Sequence, residues 1–405
     1  MCQMPSLQDS KFRLHRPSFI SEKSPIKIGV LIYLPLRFGL SAFAALLIWL
    51  LPALALPPRT ELMARWGIPV PQGSLADLLL TPWLRFDALW FLKTALNGYE
   101  LSETNIHHFP LYPLLTRLAH EVIGGHIAIS ALLISNAAFI LALSYTYRLI
   151  RLDDKESIAR RATIYLAIFP TAFFYLAGYA ESLFLLGAVG ALYYARRQAW
   201  FRAGLMGTIS ALARPQGVLI LLPLALEFGK QVKHSWRRQC FAALPLLFIP
   251  LSVTLYALYV HLTLDLPTAF AADTAYWRIQ SSQVIPGKAL WLSIEAIAKG
   301  IHPLHNSIDL VFALFGLGMT LWAISALRTT YWLFMALNVL LILSRPIAEY
   351  PLLSMPRFIL PLFPIYILLA RVGETSPTLN RLFVYPSVAL LLFFSAQFAL
   401  GGWVA

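Results

Sequence analysis

The chain has 405 residues, of which 59% are hydrophobic and 13% charged, with a mean hydropathy of +0.68 and a formal net charge of +13. Soluble domains carry about 25% charged residues, so this composition excludes a soluble globular fold. The apolar runs are long and continuous and do not alternate, which excludes an outer-membrane barrel and predicts an all-α polytopic membrane protein.

The basic residues fall between apolar runs, as in the cytoplasmic loops of multi-pass proteins, so no nucleic-acid partner is expected. Cys2 and Cys240 give neither a disulfide framework nor a metal-ligand spacing. The polar, basic start and a first apolar run too long for an h-region predict a signal anchor.

In chain order, residues 1–33 form a basic tail carrying Lys11, Arg13, Arg16, Lys23 and Lys27. Positive-inside bias assigns it to the cytoplasm. A first span is predicted near Leu34–Leu56. Residues 57–125 follow as an outer loop of mixed charge. Later spans are predicted near Ile127–Tyr147, Ala162–Ala177 and Ser182–Ala195, with Gly178–Glu181 as an outer turn. Residues 203–226 lie between two basic loops and are predicted to enter and return, bending at Arg214-Pro215, where proline removes a helix hydrogen bond. Phe241–Leu262 leads to a second outer loop, 264–305. The last spans are predicted near Leu310–Leu327, Tyr331–Leu343, Phe358–Ala370 and Phe383–Leu400. The sum is about eleven crossings, with the N-terminus inside. It puts residues 57–125, Glu181, Arg214, loop 264–305 and the Arg345–Arg357 turn on one face.

The polar residues gathered there are the candidates for chemistry. On a helix, Trp83, Trp90 and Phe91 share the face of Asp87, at i−4, i+3 and i+4. An amphipathic helix so rich in aromatics suits the membrane interface. A partly desolvated carboxylate there makes a general base. An ordinary cap, or an ion pair with Arg85 or Lys93, explains the same residue, and spacing alone favours the second account. His107-His108-Phe109-Pro110-Leu111-Tyr112-Pro113 is a helix-breaking run with an interfacial tyrosine. Adjacent histidines lack the same-face spacing of a helical metal site, so no metal ligands are assigned, although a divalent ion is not excluded. Glu181 is either a loop acid or a network residue. Arg214, beside proline in an apolar hairpin, is expensive in a membrane and points to an anionic partner, a lipid phosphate or Glu181. Arg345, Glu349 and Arg357 add to an outer anion site or pair among themselves. Asp273, Tyr276, Trp277 and Arg278 make loop 264–305 a candidate acceptor lid.

Phe86-Asp87-Ala88-Leu89-Trp90-Phe91-Leu92, Asn97-Gly98-Tyr99 and Phe109-Pro110-Leu111-Tyr112-Pro113 together resemble the PIG-V-like mannosyltransferases, members of the GT-C glycosyltransferases. Tyr179-Ala180-Glu181-Ser182-Leu183-Phe184, Ala213-Arg214-Pro215-Gln216-Gly217 and Pro356-Arg357-Phe358-Ile359-Leu360-Pro361 are similar to its later blocks, in the same order. Phe86 stands where the family usually has Trp, and His108 where it usually has another aromatic. The resemblance implies a single GT-C-like transmembrane domain over 34–405, a bundle of about eleven helices with interfacial helices in the first outer loop. It also implies inverting transfer of a sugar, typically mannose, from a polyprenyl-phosphate donor on the extracytoplasmic side to a lipid, glycan or protein acceptor. Asp87 takes the catalytic position. Arg214 and Arg357 are expected at the donor phosphate. Glu181, His107, His108, Tyr112, Arg278 and Glu349 are expected as substrate or network residues. A transporter or flippase of a lipid-linked sugar is the alternative, and it predicts internal repeats that this sequence does not show.

Overall fold

The computed structural model describes residues 25–54, 60–69, 75–100, 107–231, 241–264, 285 and 287–404. The basic residues from Lys11 to Lys23, both cysteines and the loop segment with Asp273, Tyr276, Trp277 and Arg278 lie outside these. Among the described residues every regular element is helical.

Five helices are long and apolar enough to cross a membrane. They are α1 (Pro25–Leu50), α6 (Ile127–Ile150), α11 (Phe248–Leu264, whose apolar span starts at Phe241), α13 (Pro303–Ala326) and α17 (Pro377–Ala399). The first begins well before the predicted Leu34 and takes in Lys27. Hydrophobicity locates a span better than it locates its ends. The other six expected crossings fall on shorter helices: α7 (Glu156–Ala167), α8 (Glu181–Arg196), α9 (Trp200–Ala213), α10 (Leu221–Gln231), α14 (Thr329–Leu343) and α16 (Pro364–Thr375). These have 11 to 16 residues, below the ~20 that span a bilayer core. Their sequences explain the breaks. Ile168–Ala180 passes through a 3-10 turn, and Arg214-Pro215 ends α9 in extended backbone at the expected place.

The bundle is built around α8, which packs on α9 and α6. It is apolar around its whole circumference and almost wholly buried, as that pattern requires. Gly217 shows how tightly the hairpin closes. A Cβ there would collide with the Ser210 carbonyl and its peptide. The first-loop helices are α2 (Thr60–Arg65), α3 (Leu75–Leu80), α4 (Asp87–Asn97) and α5 (Leu111–Ile123). The expectation for α4 was an interfacial helix, but most of its residues are buried, Lys93 included, and it packs on α5. Helix α12 (Lys288–Ala298) and the short α15 (Met355–Ile359) complete the described set.

One end of the bundle is laced with ion pairs. Arg196, at the C-terminal end of α8, grips Asp153 through two hydrogen bonds of 2.6 and 2.8 Å, and the Tyr331 hydroxyl donates to the same carboxylate. Arg371 does the same to Asp154, both at 2.9 Å. Arg328 reaches Glu227 at 3.3 Å. The opposite end of α8 carries the site.

Candidate active site

Four chain breaks converge on one cavity of about 230 Å³. Asp87, His107, His108, Glu181, Arg214, Arg345 and Arg357 line it, with Phe91, Tyr179, Phe358 and Trp403 as its aromatic wall.

Asp87 is the first residue of α4, so Trp83 lies before the helix and not on its face. The turn into α4 puts Phe86 at φ +53°, a left-handed conformation that costs a non-glycine residue about 1–3 kcal/mol. Its surroundings hold it there. Phe86 packs on Phe398 and Trp403, with ring centroids 5.7 and 5.1 Å away. Tyr179 donates to the Arg85 carbonyl at 3.1 Å, and Gly178 N–H to the Trp83 carbonyl at 3.0 Å. Neither Arg85 nor Lys93 pairs with Asp87 as the sequence allowed. Arg85 donates to the Ala399 carbonyl, and Lys93 pairs with Glu100 at 3.0 Å.

The partner of Asp87 is Arg357, 270 residues away, whose Nη1 donates to Oδ2 at 2.6 Å. Arg357 Nε lies 3.3 Å from Oε1 of Glu181, the first residue of α8. The same Oε1 accepts from Nη1 of Arg214. The result is an alternating row: Asp87, Arg357, Glu181, Arg214. Three members are nearly closed off, with side-chain exposures of 12%, 3% and 10%, while Asp87 at 27% is the end open to the cavity. Both guanidiniums also stand over rings, Arg214 at 4.8 Å from Phe358 and Arg357 at 5.7 Å from Tyr179. Burial pushes the Asp87 carboxyl up, but Arg357, His108 and His107 outweigh it and bring it down to about 2. Burial lowers the proton affinity of Arg357, and the two carboxylates more than restore it, so it stays above the usual arginine range.

Both acids also sit at helix starts, where the backbone dipole and free N–H groups favour negative charge. The cavity is therefore suited to an anion beside a carboxylate. It holds a row of two positive and two negative charges that an incoming anion can re-pair.

The remaining candidates separate. His107 and His108 line the cavity with rings 4.1 Å apart, and His108 packs edge-on to Phe91 at 4.7 Å. Among the described residues no three His, Cys, Asp or Glu side chains come together as a metal-ligand group. Tyr112 is fully buried away from the cavity lining; its hydroxyl donates to the Ala131 carbonyl at 2.9 Å, and its ring supports Phe91. Glu349 is exposed and faces His302 at 3.5 Å, outside the lining. Arg278 lies outside the described residues. Trp403 and Ser354 line the cavity but were not anticipated. A tryptophan after the last span reads as an interfacial anchor, and nothing local in the sequence sends it back over Phe86.

The family model described as Mannosyltransferase (PIG-V) matches residues 46–257, just over half of the chain. The matched region contains Asp87, His107, His108, Glu181 and Arg214 and stops a hundred residues short of Arg357. Neither the curated proteins nor the solved structures contain a match.

Proposed function

This chain belongs to the PIG-V mannosyltransferase family and is a membrane glycosyltransferase, and on that premise we propose that the cavity transfers mannose from a polyprenyl-phosphate donor, with inversion, to an acceptor hydroxyl. The observation that carries this reading is the row Asp87–Arg357–Glu181–Arg214 on the cavity wall. Asp87 is the base. The acceptor oxygen attacks C1 of the sugar as its proton passes to the Asp87 carboxylate. The bond between C1 and the phosphate oxygen breaks, and its electron pair leaves with polyprenyl phosphate. One displacement inverts the configuration at C1. The donor phosphate carries one negative charge and the departing phosphate up to two. Arg357 and Arg214 face that gain in charge, as electrostatic stabilisation requires.

The same row supplies a reason for substrate order. With Arg357 on its carboxylate, Asp87 is a poor base. A donor phosphate that draws Arg357 away leaves Asp87 in a partly buried site with its neutralising partner gone, and its proton affinity rises. The base is armed when the donor is in place. Ala213, Pro215, Leu341 and Ile342 form the apolar side of the cavity and suit the first units of a polyprenyl chain.

Positive-inside bias supports an extracytoplasmic site. Glu181 and Arg196 stand at opposite ends of α8, about 22 Å apart at 1.5 Å per residue. Arg151 and Arg371 meet Asp154, next to the Asp153 that pairs with Arg196, and Arg148 and Arg197 both stand over Tyr193 near the same end. Membership of a transferase family does not favour a transporter or flippase.

The direct test is Asp87→Asn in purified protein supplied with polyprenyl-phosphate mannose and a membrane acceptor fraction. Loss of a positioned base costs about 10²–10⁴-fold in turnover. Near-normal turnover by the folded variant would remove Asp87 from this role.

A further inference from the structure

Asp309 is a buried acid that the mechanism does not touch. It sits in the apolar helix α13, is 1% exposed, and lies outside the cavity lining. Its Oδ1 accepts the Met355 N–H at 3.0 Å, a donor it shares with the Leu352 carbonyl at 3.1 Å. Its Oδ2 has no hydrogen-bond partner among the described residues. A buried carboxyl with one bond is costly, so its place needs a reason.

The reason lies in what Met355 begins. It opens α15, the one-turn helix that carries Arg357. Ser354 before it is in the left-handed region at φ +67°, and its side chain makes no cap. Asp309 supplies from another helix an acceptor for the first N–H of α15, one of those a helix start leaves without an i−4 partner. Asn306, three residues earlier on the same face of α13, is fully buried and donates to the Glu349 carbonyl at 3.1 Å. Gly316, two turns further along that face, receives the other end of α15: a Cβ there would collide with Ile359 Cδ1. Thus one stripe of α13 holds the strand of chain before α15, its first N–H and its last side chain. Arg357 lies between the two grips.

We propose that Asp309 is a positioning residue for Arg357, fixing the guanidinium where it meets both Asp87 and the donor phosphate. This rests on the reading of Arg357 as a phosphate partner. Displacements near 1 Å can cost about 10²-fold in such sites.

Binding of a fluorescent polyprenyl phosphate to the full chain in nanodiscs tests it, with the matching polyprenol as the uncharged control. Asp309→Leu is expected to weaken the phosphate by about tenfold or more and to leave the polyprenol unchanged. Asp309→Asn keeps an acceptor oxygen at the Oδ1 position and should bind as the native chain does. In an Arg357→Ala background, Asp309→Leu should cost nothing further, because coupled residues are not additive. Equal weakening of phosphate and polyprenol, or a full further loss in the Arg357→Ala background, overturns the proposal. Native phosphate affinity in Arg357→Ala alone overturns the phosphate reading of Arg357, and the proposal with it. Should Asp309→Leu not fold, Gly316→Ala displaces the Ile359 end of α15 and must give the same phosphate-specific loss.

Discussion

At the scale of single residues, the Asp87–Arg357 pair sets a pH behaviour with a definite sign. The folded pKa of Asp87, about 2, lies below its ordinary 3.8. A carboxylate held down in this way stabilises the fold above its unfolded pKa, and the contribution is lost as pH falls toward the folded value. The unfolding midpoint is therefore expected to drop between pH 3.8 and 2. Arg357→Met leaves the burial without its main offset, so this limb should weaken or reverse; thermal melts across pH show it. Kinetics give a second reading. The acid limb of kcat/KM reports the free enzyme and that of kcat the loaded one. If the donor draws Arg357 away, the kcat limb lies at the higher pH, and coincident limbs would count against re-pairing. Tyr112 is the contrasting case. Tyr112→Phe removes one buried hydrogen bond, worth about 0.5–1.5 kcal/mol, and should lower the melting point while turnover is kept.

Among the elements, the breaks matter more than the spans. The site is made where α4, α8 and α15 begin and where α9 ends. The break at Arg214 was legible because Pro215 falls midway between two basic loops, where the chain has to turn back; Pro35 and Pro386, inside α1 and α17, break neither helix. The pairing of Glu181 with Arg214 was legible as one of two alternatives, but its second contact, to Arg357, was not, since that residue comes from a distant segment. The isolated spacing of Asp87 misled in a specific way. It assumed a helix through Trp83, whereas a left-handed Phe86, held by Phe398 and Trp403, starts the helix at Asp87. Such strain is set by tertiary contacts, and no local propensity encodes it. Gly217→Ala is the element-level test. Its Cβ meets backbone at Ser210, so the loop carrying Arg214 must shift. A cost of about 1–3 kcal/mol is expected from overpacking, with stability and turnover falling together in the purified variant.

For the whole molecule, the two ends of α8 divide the work. The Asp87 end is a row of charges around a cavity, and the Arg196 end is a set of ion pairs between helix ends and loops. Asp153 accepts two bonds from Arg196 and one from Tyr331, and the pair is only 12–15% exposed. Asp153→Asn is expected to lower the unfolding midpoint, since hydrogen bonds to a charged group are worth about 1.5–3 kcal/mol, while the KM for polyprenyl-phosphate mannose stays unchanged. A shift in that KM would mean that the two ends are coupled. Helix class and membrane character were plain from composition. The number of crossings was not, because six of the eleven expected spans fall on helices of 11 to 16 residues, and hydropathy does not distinguish a short helix from a span.

The 270 residues between Asp87 and Arg357 also set a schedule for synthesis. Asp87, Glu181 and Arg214 are made first, and their row stays incomplete while the chain runs on through α13 and α14. A nascent chain that has inserted most of its helices holds Asp87 and the Glu181–Arg214 pair but not the guanidinium that joins them. Assembly of the working site coincides with the arrival of α15, after its docking stripe on α13 is already in place. Until then the row has a gap at its centre, between Asp87 and the Glu181–Arg214 pair.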